Sequence, residues 1–319
     1  MYKLYLTIYT SQRKLVERMK QPDKKLFEMG HILSGSRGIS SEYWMTELTP
    51  LLRQLPLIYL CIPGTCKSHD YSIIDKIFKN HTQHSSITSQ LFNGIRYLNI
   101  DVFPVVKNKK VTWTCTPSLI LMDVLRQVNL FALSHPDEVI FLQVNTRSFK
   151  CLEYVLEFLH HLLFTCADND GDWIKKYSLH SICKTKKNII LINSEFTANS
   201  NRVLKSCTKF INTDSIPKLD YYLNLAEASA CTKMPEYAIK INLLTYGDSG
   251  CARVLNTLFY NENRHRNAVS MQHEDMIQYV HSGANVENLN KIVVLCVEFE
   301  IYIDLLYLCL QIMDYRFYR

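Results

Sequence analysis

The chain has 319 residues, of which 47% are apolar and 21% are charged, and its formal net charge at pH 7 is +6. This composition is ordinary for a globular protein long enough for one large domain or two modest ones. The eleven cysteines form no C-x-x-C pair and no zinc spacing, and the first residues show no signal-peptide pattern, so we expect free thiols in the cytoplasm.

The positive charge is concentrated towards the N-terminus. Residues 1–40 hold eight Lys or Arg and three Asp or Glu, which gives them a net charge of +5. The Ser- and Gly-rich stretch 34–42 indicates a linker, so we predict a basic extension and linker over 1–42 and one folded unit over 43–319. The basic residues could bind a phosphoinositide or an anionic membrane surface, or simply form a solvated helix face or tail. We expect no nucleic-acid binding, because no recognised binding motif is present.

From residue 55 onwards, apolar β-branched runs alternate with stretches of helical periodicity. The predicted strands cover 55–63, 95–106, 111–115, 137–145, 188–194, 236–246 and 291–299. The predicted helices cover 86–94, 117–135 and 151–164, and the first of them ends at Gly94. Apolar strands separated by helices indicate a parallel sheet that is buried on both faces. Roughly seven or eight such units favour a (β/α) barrel, whose chemistry lies at the carboxyl ends of the strands.

The most apolar stretch, 291–313, does not predict a transmembrane helix. It contains Glu298, Glu300 and Asp304. Each of these charges would cost roughly 2 to 3 kcal/mol at the centre of a bilayer. We therefore predict a buried strand followed by an apolar helix, in a protein that is cytoplasmic or peripheral at membranes.

Several segments together resemble the X domain of phosphatidylinositol-specific phospholipases C (PI-PLC). YWMTEL at 43–48 is similar to the opening segment of that domain, and LPLIYLCIPGT at 55–65 is similar to its first strand and loop. The stretch 86–102 matches its helix and second strand, and 123–142 matches a later helix, turn and strand. The resemblance covers about residues 43–319 and is looser in the C-terminal half. Within the family, it points to the short proteins that consist of an X domain alone. It implies a distorted TIM-type (β/α) barrel.

The resemblance also implies a reaction, the cleavage of a phosphoric diester in inositol phospholipids. In the family, one histidine takes the proton from the inositol 2-hydroxyl, which attacks the phosphorus, and a second histidine protonates the leaving diacylglycerol oxygen. An arginine, or Ca²⁺ held by carboxylates, offsets the charge of the phosphate. The chemistry therefore needs a base and an acid that work near pH 7, together with a fixed positive charge.

The first catalytic histidine has no direct counterpart in the loop after the first strand. Aligned without a gap to the family pattern I-P-G-[TS]-H-[DN]-[ST], the sequence IPGTCKS has Cys66 at the histidine, followed by Lys67 and Ser68. We favour this register, which makes Lys67 and Ser68 candidate substrate-binding residues. The alternative shifts the loop by an insertion of three residues and makes His69, which is followed by Asp70, the catalytic base.

The end of the second predicted strand, YLNID, differs from both family patterns. Asn99 and Asp101 replace an aspartate and an arginine of the bacterial type, whereas in the Ca²⁺-dependent type Asp101 would match a metal carboxylate. One carboxylate and one amide make a poor calcium site, because Ca²⁺ normally takes about 6 to 8 oxygen ligands. We therefore expect no cofactor, with Ca²⁺ at Asp101 as the alternative. Asn99 is assigned either to substrate binding or to hydrogen bonding at the strand end.

The second catalytic histidine is also replaced. Its position corresponds to Thr114 in TWTCTP, and no histidine occurs between His84 and His135. Gln143 stands where the family often has an acid, and we assign it to substrate binding. Glu298 resembles a family aspartate near the C-terminus and is the one conservative retention.

These substitutions predict a degenerate catalytic centre. The loss of a general acid alone typically costs about 10²- to 10⁴-fold in rate. A thiolate at Cys66, beside Lys67, could act as a nucleophile, but a buried inert thiol is the more common state of such a cysteine. We therefore predict a PI-PLC-like pseudoenzyme that binds a phospholipid, an inositol phosphate or a signalling partner. The alternatives are an active phosphodiesterase that uses His69 and a purely structural scaffold.

Overall fold

The structure of the chain is a computed structural model. It describes residues 40–71, 83, 85–107, 109–165, 173–193, 203–205, 208–213, 238–243 and 292–297, together with the helical positions 305, 306, 309, 310 and 313. The predicted basic extension, apart from its last residues, lies outside the described residues, and so does Glu298. Among the helices that are described, none is long and apolar enough to cross a membrane.

Most of the described strands belong to one parallel sheet. The strands are β1 (Cys61–Thr65), β2 (Tyr97–Asp101), β3 (Phe103–Lys107), β4 (Lys110–Thr116), β5 (Leu119–Ile120), β6 (Ile140–Asn145), β7 (Ile189–Asn193), β8 (Val203–Lys205), β9 (Thr208–Thr213), β10 (Ala238–Leu243) and β11 (Ile292–Val297). Eight of them pair in the order β8-β7-β6-β2-β1-β11-β10-β9. The first strand pairs with the last, β1 with β11, as the closure of a (β/α) barrel requires. Among the described strands, β8 and β9 are the two ends of this sheet and are not paired with each other.

Helices connect these strands where the sequence has helical periodicity. They are α1 (Trp44–Glu47), α2 (Pro50–Gln54), α3 (Ile87–Phe92), α4 (Leu121–Ser134), α5 (Phe149–Leu159), α6 (Trp173–Lys176) and α7 (Leu179–Lys184). The side chain of Ser86 caps α3 by accepting a hydrogen bond from the Ser89 N–H. Gly94, with a φ of +95°, follows the end of α3 as the sequence predicts, because a left-handed residue there favours glycine.

Two predicted strands are wrong in their bounds. The stretch 55–63 forms a strand only from Cys61, because Leu57–Tyr59 makes a 3₁₀ turn after Pro56. The stretch 95–106 divides after Asp101, and its second half becomes β3 of a separate antiparallel sheet with the order β3-β4-β5. Pro104 fits this arrangement, because a residue without an N–H is tolerated in an edge strand.

A buried ion pair joins the amino ends of β2 and β6 to the first helix. Arg96 and Glu138 have no exposed side-chain surface, and both Nε and Nη2 of Arg96 donate to Oε2 of Glu138, at 2.9 and 2.8 Å. Glu138 also accepts hydrogen bonds from the backbone N–H groups of Met45 and Thr46 and from the Thr46 hydroxyl. The Trp44 indole donates to the carbonyl of the glycine that follows α3, at 2.9 Å. These bonds fix the amino end of the barrel, opposite the edge where barrel chemistry occurs.

Candidate functional site

The candidate site lies at the carboxyl ends of β1, β2 and β6. Parallel pairing places Asn99 of β2 level with Gln143 of β6, and Asp101 level with Asn145. The loop that follows β1, residues 66–71, folds over the end of β2. The structure therefore brings together most of the residues that the sequence predicts for the site.

Ser68 anchors the loop after β1 to the second strand. Its N–H donates to the Asn99 carbonyl at 2.8 Å, and its Oγ accepts from the Asn99 N–H, also at 2.8 Å. Its carbonyl accepts from Nε2 of Gln90 at 2.8 Å, and its side chain is completely buried. The predicted substrate-binding residue thus has its hydroxyl engaged in holding the loop, together with the neighbouring hydroxyl of Thr65 at 2.7 Å.

Cys66 and Lys67 face different environments in this loop. Cys66 is buried, and its carbonyl accepts a hydrogen bond from Nε2 of Gln83 at 2.8 Å. Lys67 is exposed and has a φ of +44°, a left-handed conformation that is uncommon for a residue with a side chain. The strained turn at Lys67 directs the chain back towards β2, where Ser68 and His69 make their contacts.

His69 is packed against the end of β2, and only 4% of its surface is exposed. The Asp101 N–H donates to its Nδ1 at 3.3 Å, which leaves the proton of the neutral imidazole on Nε2. Burial lowers the pKa of His69 below the ordinary histidine value, and the nearby carboxylates of Asp101 and Asp70 oppose this shift. His69 therefore lies in surroundings that favour the neutral imidazole, and it is held by the backbone of the second strand.

A continuous chain of polar side chains crosses from β2 to β6. The Tyr97 hydroxyl donates to Oε1 of Gln143, whose Nε2 donates to Oδ1 of Asn145 at 2.8 Å. Nδ2 of Asn145 donates to Oδ1 of Asn99 at 2.6 Å and to Oδ1 of Asp101 at 2.7 Å. We call these five side chains the amide network. Sequence reasoning identified Gln143, Asn99 and Asp101 but missed the other two, although a period of two along each strand was available as a signal.

The amide network contains a single carboxylate. This carboxylate, on Asp101, accepts a hydrogen bond from Asn145 and lies next to His69. In the described part of the chain, no group of three or more His, Cys, Asp or Glu side chains could hold a metal ion.

Thr114 lies on β4, directly opposite Phe103 in the antiparallel pair. Its hydroxyl is buried and donates to the Phe103 carbonyl at 3.4 Å. Sequence reasoning did not single out the next residue, Cys115. Burial raises the pKa of its thiol to about 12, with smaller contributions from Cys151 and from Asp101 of the site. Neither the hydroxyl nor this thiol is a proton donor suited to work near pH 7.

The other histidines that the structure describes lie away from this edge. His135 follows α4 and makes a hydrogen bond with Glu42, with 2.7 Å between Nε2 and Oε1. His160 and His161 follow α5, and His180 lies in α7. Among the described histidines, His69 is the one that contacts Asp101.

Comparison with known proteins agrees with this architecture. No family model matches the chain. It is 26% identical over 178 residues to human PI-PLC X domain-containing protein 1, a match that covers 44% of this chain and 54% of that protein. It is 28% identical over 145 residues to human PI-PLC X domain-containing protein 2, covering 37% and 46%. The chain thus matches about half the length of these curated relatives.

Solved structures extend the likeness to the whole barrel. The phosphatidylinositol-specific phospholipase C of Listeria monocytogenes superposes with a TM-score of 0.54 at 16% identity, covering 87% of this chain and 99% of that one. A phosphatidylinositol-specific phospholipase C of S. aureus gives 0.56 at 15% identity, covering 86% and 97%. At these identities the matches show the fold alone, which is consistent with the predicted TIM-type class. The chain is thus similar in sequence to PI-PLC X domain-containing proteins and similar in fold to phosphatidylinositol-specific phospholipases C.

Proposed function

We propose that this barrel binds the headgroup of an inositol phospholipid, or the free inositol phosphate, without hydrolysing it. One observation carries the proposal. His69 is the only described histidine that reaches the candidate site, and it is buried against the backbone of β2. The family resemblance aligns the second histidine with Thr114. The scaffold of a phosphodiesterase is retained, but its proton-transfer groups are not.

The loss of both histidines removes the steps that the reaction requires. Protonation of the leaving oxygen needs an acid with a pKa near neutrality, and a threonine hydroxyl does not provide one. Cys66 is buried in the position of the first histidine, so it does not replace the base. Each missing group typically lowers the rate by about 10²- to 10⁴-fold. Turnover is therefore expected to be negligible even if the ligand binds in a productive orientation.

The amide network supports binding of a polyol. Asn and Gln side chains offer both donors and acceptors, which suits the hydroxyl groups of an inositol ring. They lie at the carboxyl ends of barrel strands, where ligands of this fold class bind. The exposed Lys67 at the rim provides positive charge for a phosphate. No cofactor and no calcium are needed for this binding mode.

The predicted basic extension belongs to the same proposal. Residues 1–40 carry a net charge of +5, which would favour a phosphoinositide or an anionic membrane surface and not a nucleic acid. Cys61, Cys115, Cys151 and Cys183 are buried free thiols, which suits a cytoplasmic protein that is peripheral at membranes. Glu298 follows β11 directly in the sequence, and its part in the site remains a prediction.

Binding can be tested by calorimetric titration of the full chain with inositol 1-phosphate. Wild type should bind, and Asn145→Ala should bind at least about tenfold more weakly, because it breaks the bonds that order Asn99 and Asp101. Asn93→Ala is the matched control, since Asn93 is a partly buried amide beside the amino end of β2. Equal affinity for wild type and Asn145→Ala would show that the amide network is not part of the binding site.

A second candidate function is supported by one contact. His69 lies against Asp101, and a histidine beside a carboxylate is an arrangement that general bases use. In this alternative the loop register is shifted, His69 acts as the base, and the protein is an active phosphodiesterase. Release of inositol phosphate by wild type that is lost in His69→Ala would establish it.

A further inference from the structure

A two-stranded hairpin projects from the edge where the candidate site lies. It consists of β3 and β4, and we call the described residues 103–107 and 109–116 the edge hairpin. It begins two residues after Asp101, the last residue of β2. The backbone N–H of Asp101 contacts His69, so the base of the edge hairpin is continuous with the rim of the site.

Apolar side chains are exposed along the edge hairpin. Val106 and Val111 are paired directly across the two strands and are 67% and 55% exposed. Pro104 and Trp113 form the next pair on the same face, and Trp113 packs partly against the core. Phe103, at the base, is 57% exposed. An exposed cross-strand valine pair gains little in water, so this face is suited to contact with an apolar phase.

Positive charge surrounds the tip of the edge hairpin. Lys109 and Lys110 are exposed, and Lys109 forms the turn with a φ of +62°. No acidic residue occurs in the sequence between Asp101 and Asp123. The tip therefore combines a cationic turn with an apolar face and carries no compensating negative charge.

We propose that the edge hairpin docks the protein on an anionic phospholipid bilayer. The valine pair enters the interfacial region, while the lysines contact the lipid headgroups. A bilayer fits this surface better than a protein does, because lysine is depleted in the buried parts of protein interfaces. Docking would turn the carboxyl edge of the barrel towards the membrane. The inference does not depend on the proposed binding of an inositol headgroup.

Co-sedimentation of the full chain with vesicles tests the docking. The probes are vesicles of phosphatidylcholine alone, of phosphatidylcholine with phosphatidylserine, which carries charge but no inositol, and of phosphatidylcholine with an equal fraction of phosphatidylinositol. Wild type should bind the anionic vesicles and lose affinity as salt is raised. Lys109→Ala/Lys110→Ala should reduce partitioning by about 25-fold, at roughly fivefold for each lysine near the surface. Val106→Ser/Val111→Ser should reduce it by at least about tenfold.

Matched control variants exist at the opposite end of the barrel. Leu130→Ser/Leu133→Ser changes side chains that are 67% and 53% exposed in the last turns of α4. Lys184→Ala/Lys186→Ala removes two exposed charges just before β7. Both controls should bind vesicles like wild type, and the thermal unfolding of all variants should be unchanged.

The docking proposal fails in either of two ways. Wild type that does not bind phosphatidylserine vesicles would overturn it and leave the edge hairpin as a surface for a protein. Edge hairpin variants that bind as well as wild type would assign the membrane contact to another part of the chain. Binding to phosphatidylserine vesicles without any preference for phosphatidylinositol would instead support docking while contradicting the proposed headgroup site.

Discussion

The buried pair between Arg96 and Glu138 gives the largest stability effect that the structure predicts. Glu138→Ala removes the partner of a guanidinium that has no exposed surface, and it deprives Met45 and Thr46 of their acceptors. Breaking a buried ion pair by removing one partner costs about 3 to 5 kcal/mol. Because about 2 to 4 °C of unfolding temperature corresponds to 1 kcal/mol in a domain of this size, the expected loss is about 6 to 20 °C.

The adjacent Asp137 provides the control. Its carboxylate forms a pair with Arg53 at 3.6 Å, and the two side chains are 56% and 21% exposed. Asp137→Ala should cost no more than about 1 kcal/mol, as for other exposed pairs. Both variants are compared with wild type by thermal and denaturant unfolding. An effect of Glu138→Ala that is no larger than that of Asp137→Ala would refute the assignment of Arg96 and Glu138 as a structural anchor.

Three further predictions concern other parts of the structure. Burial lowers the pKa of His69, so the stability that the buried neutral imidazole contributes is present above pH about 6.5 and is lost as the pH falls towards the folded-state pKa. His69→Asn should therefore flatten the pH dependence of the free energy of unfolding. Gly94→Ala should destabilise by about 1 kcal/mol or more in denaturant melts, because φ is +95° and a Cβ would lie 3.0 Å from Cδ2 of Leu306; an unchanged midpoint would contradict this. Cys115 should resist alkylation at pH 8 until the protein unfolds, since burial raises its pKa to about 12, and rapid labelling of the native protein, located by peptide mass, would count against its burial.

The sequence predicts the barrel strands well where they are apolar on both faces. The cores of β6, β7 and β11 fall inside predicted strands, because β-branched runs mark strands covered by helices. Strands β8 and β9 were missed, since VLK has only three residues and TKFINT has only two apolar residues, which are adjacent to each other. The division after Asp101 was missed, although Pro104 disfavours a central strand and was available as a signal; the pairing then assigns the two halves to different sheets.

The candidate site was predictable only in part. Residues of the β1 loop and of β2 were found because they occupy positions of a known pattern. Asn145 was missed because its relevance arises from the register of β6 against β2, which places it level with Asp101. Glu138 was missed for a similar reason, although two opposite charges at the starts of two predicted strands, with Arg96, could have suggested a buried pair. Long-range pairing, and not local pattern, decides which polar residues meet.

The central claim, that the barrel binds without hydrolysing, is tested most directly by inositol phosphate release from phosphatidylinositol vesicles. Wild type and His69→Ala are compared with calcium and with a chelator. We predict no release above background for either protein under either condition. Release by wild type that disappears in His69→Ala would contradict the account and would identify His69, against the end of β2, as a working catalytic base.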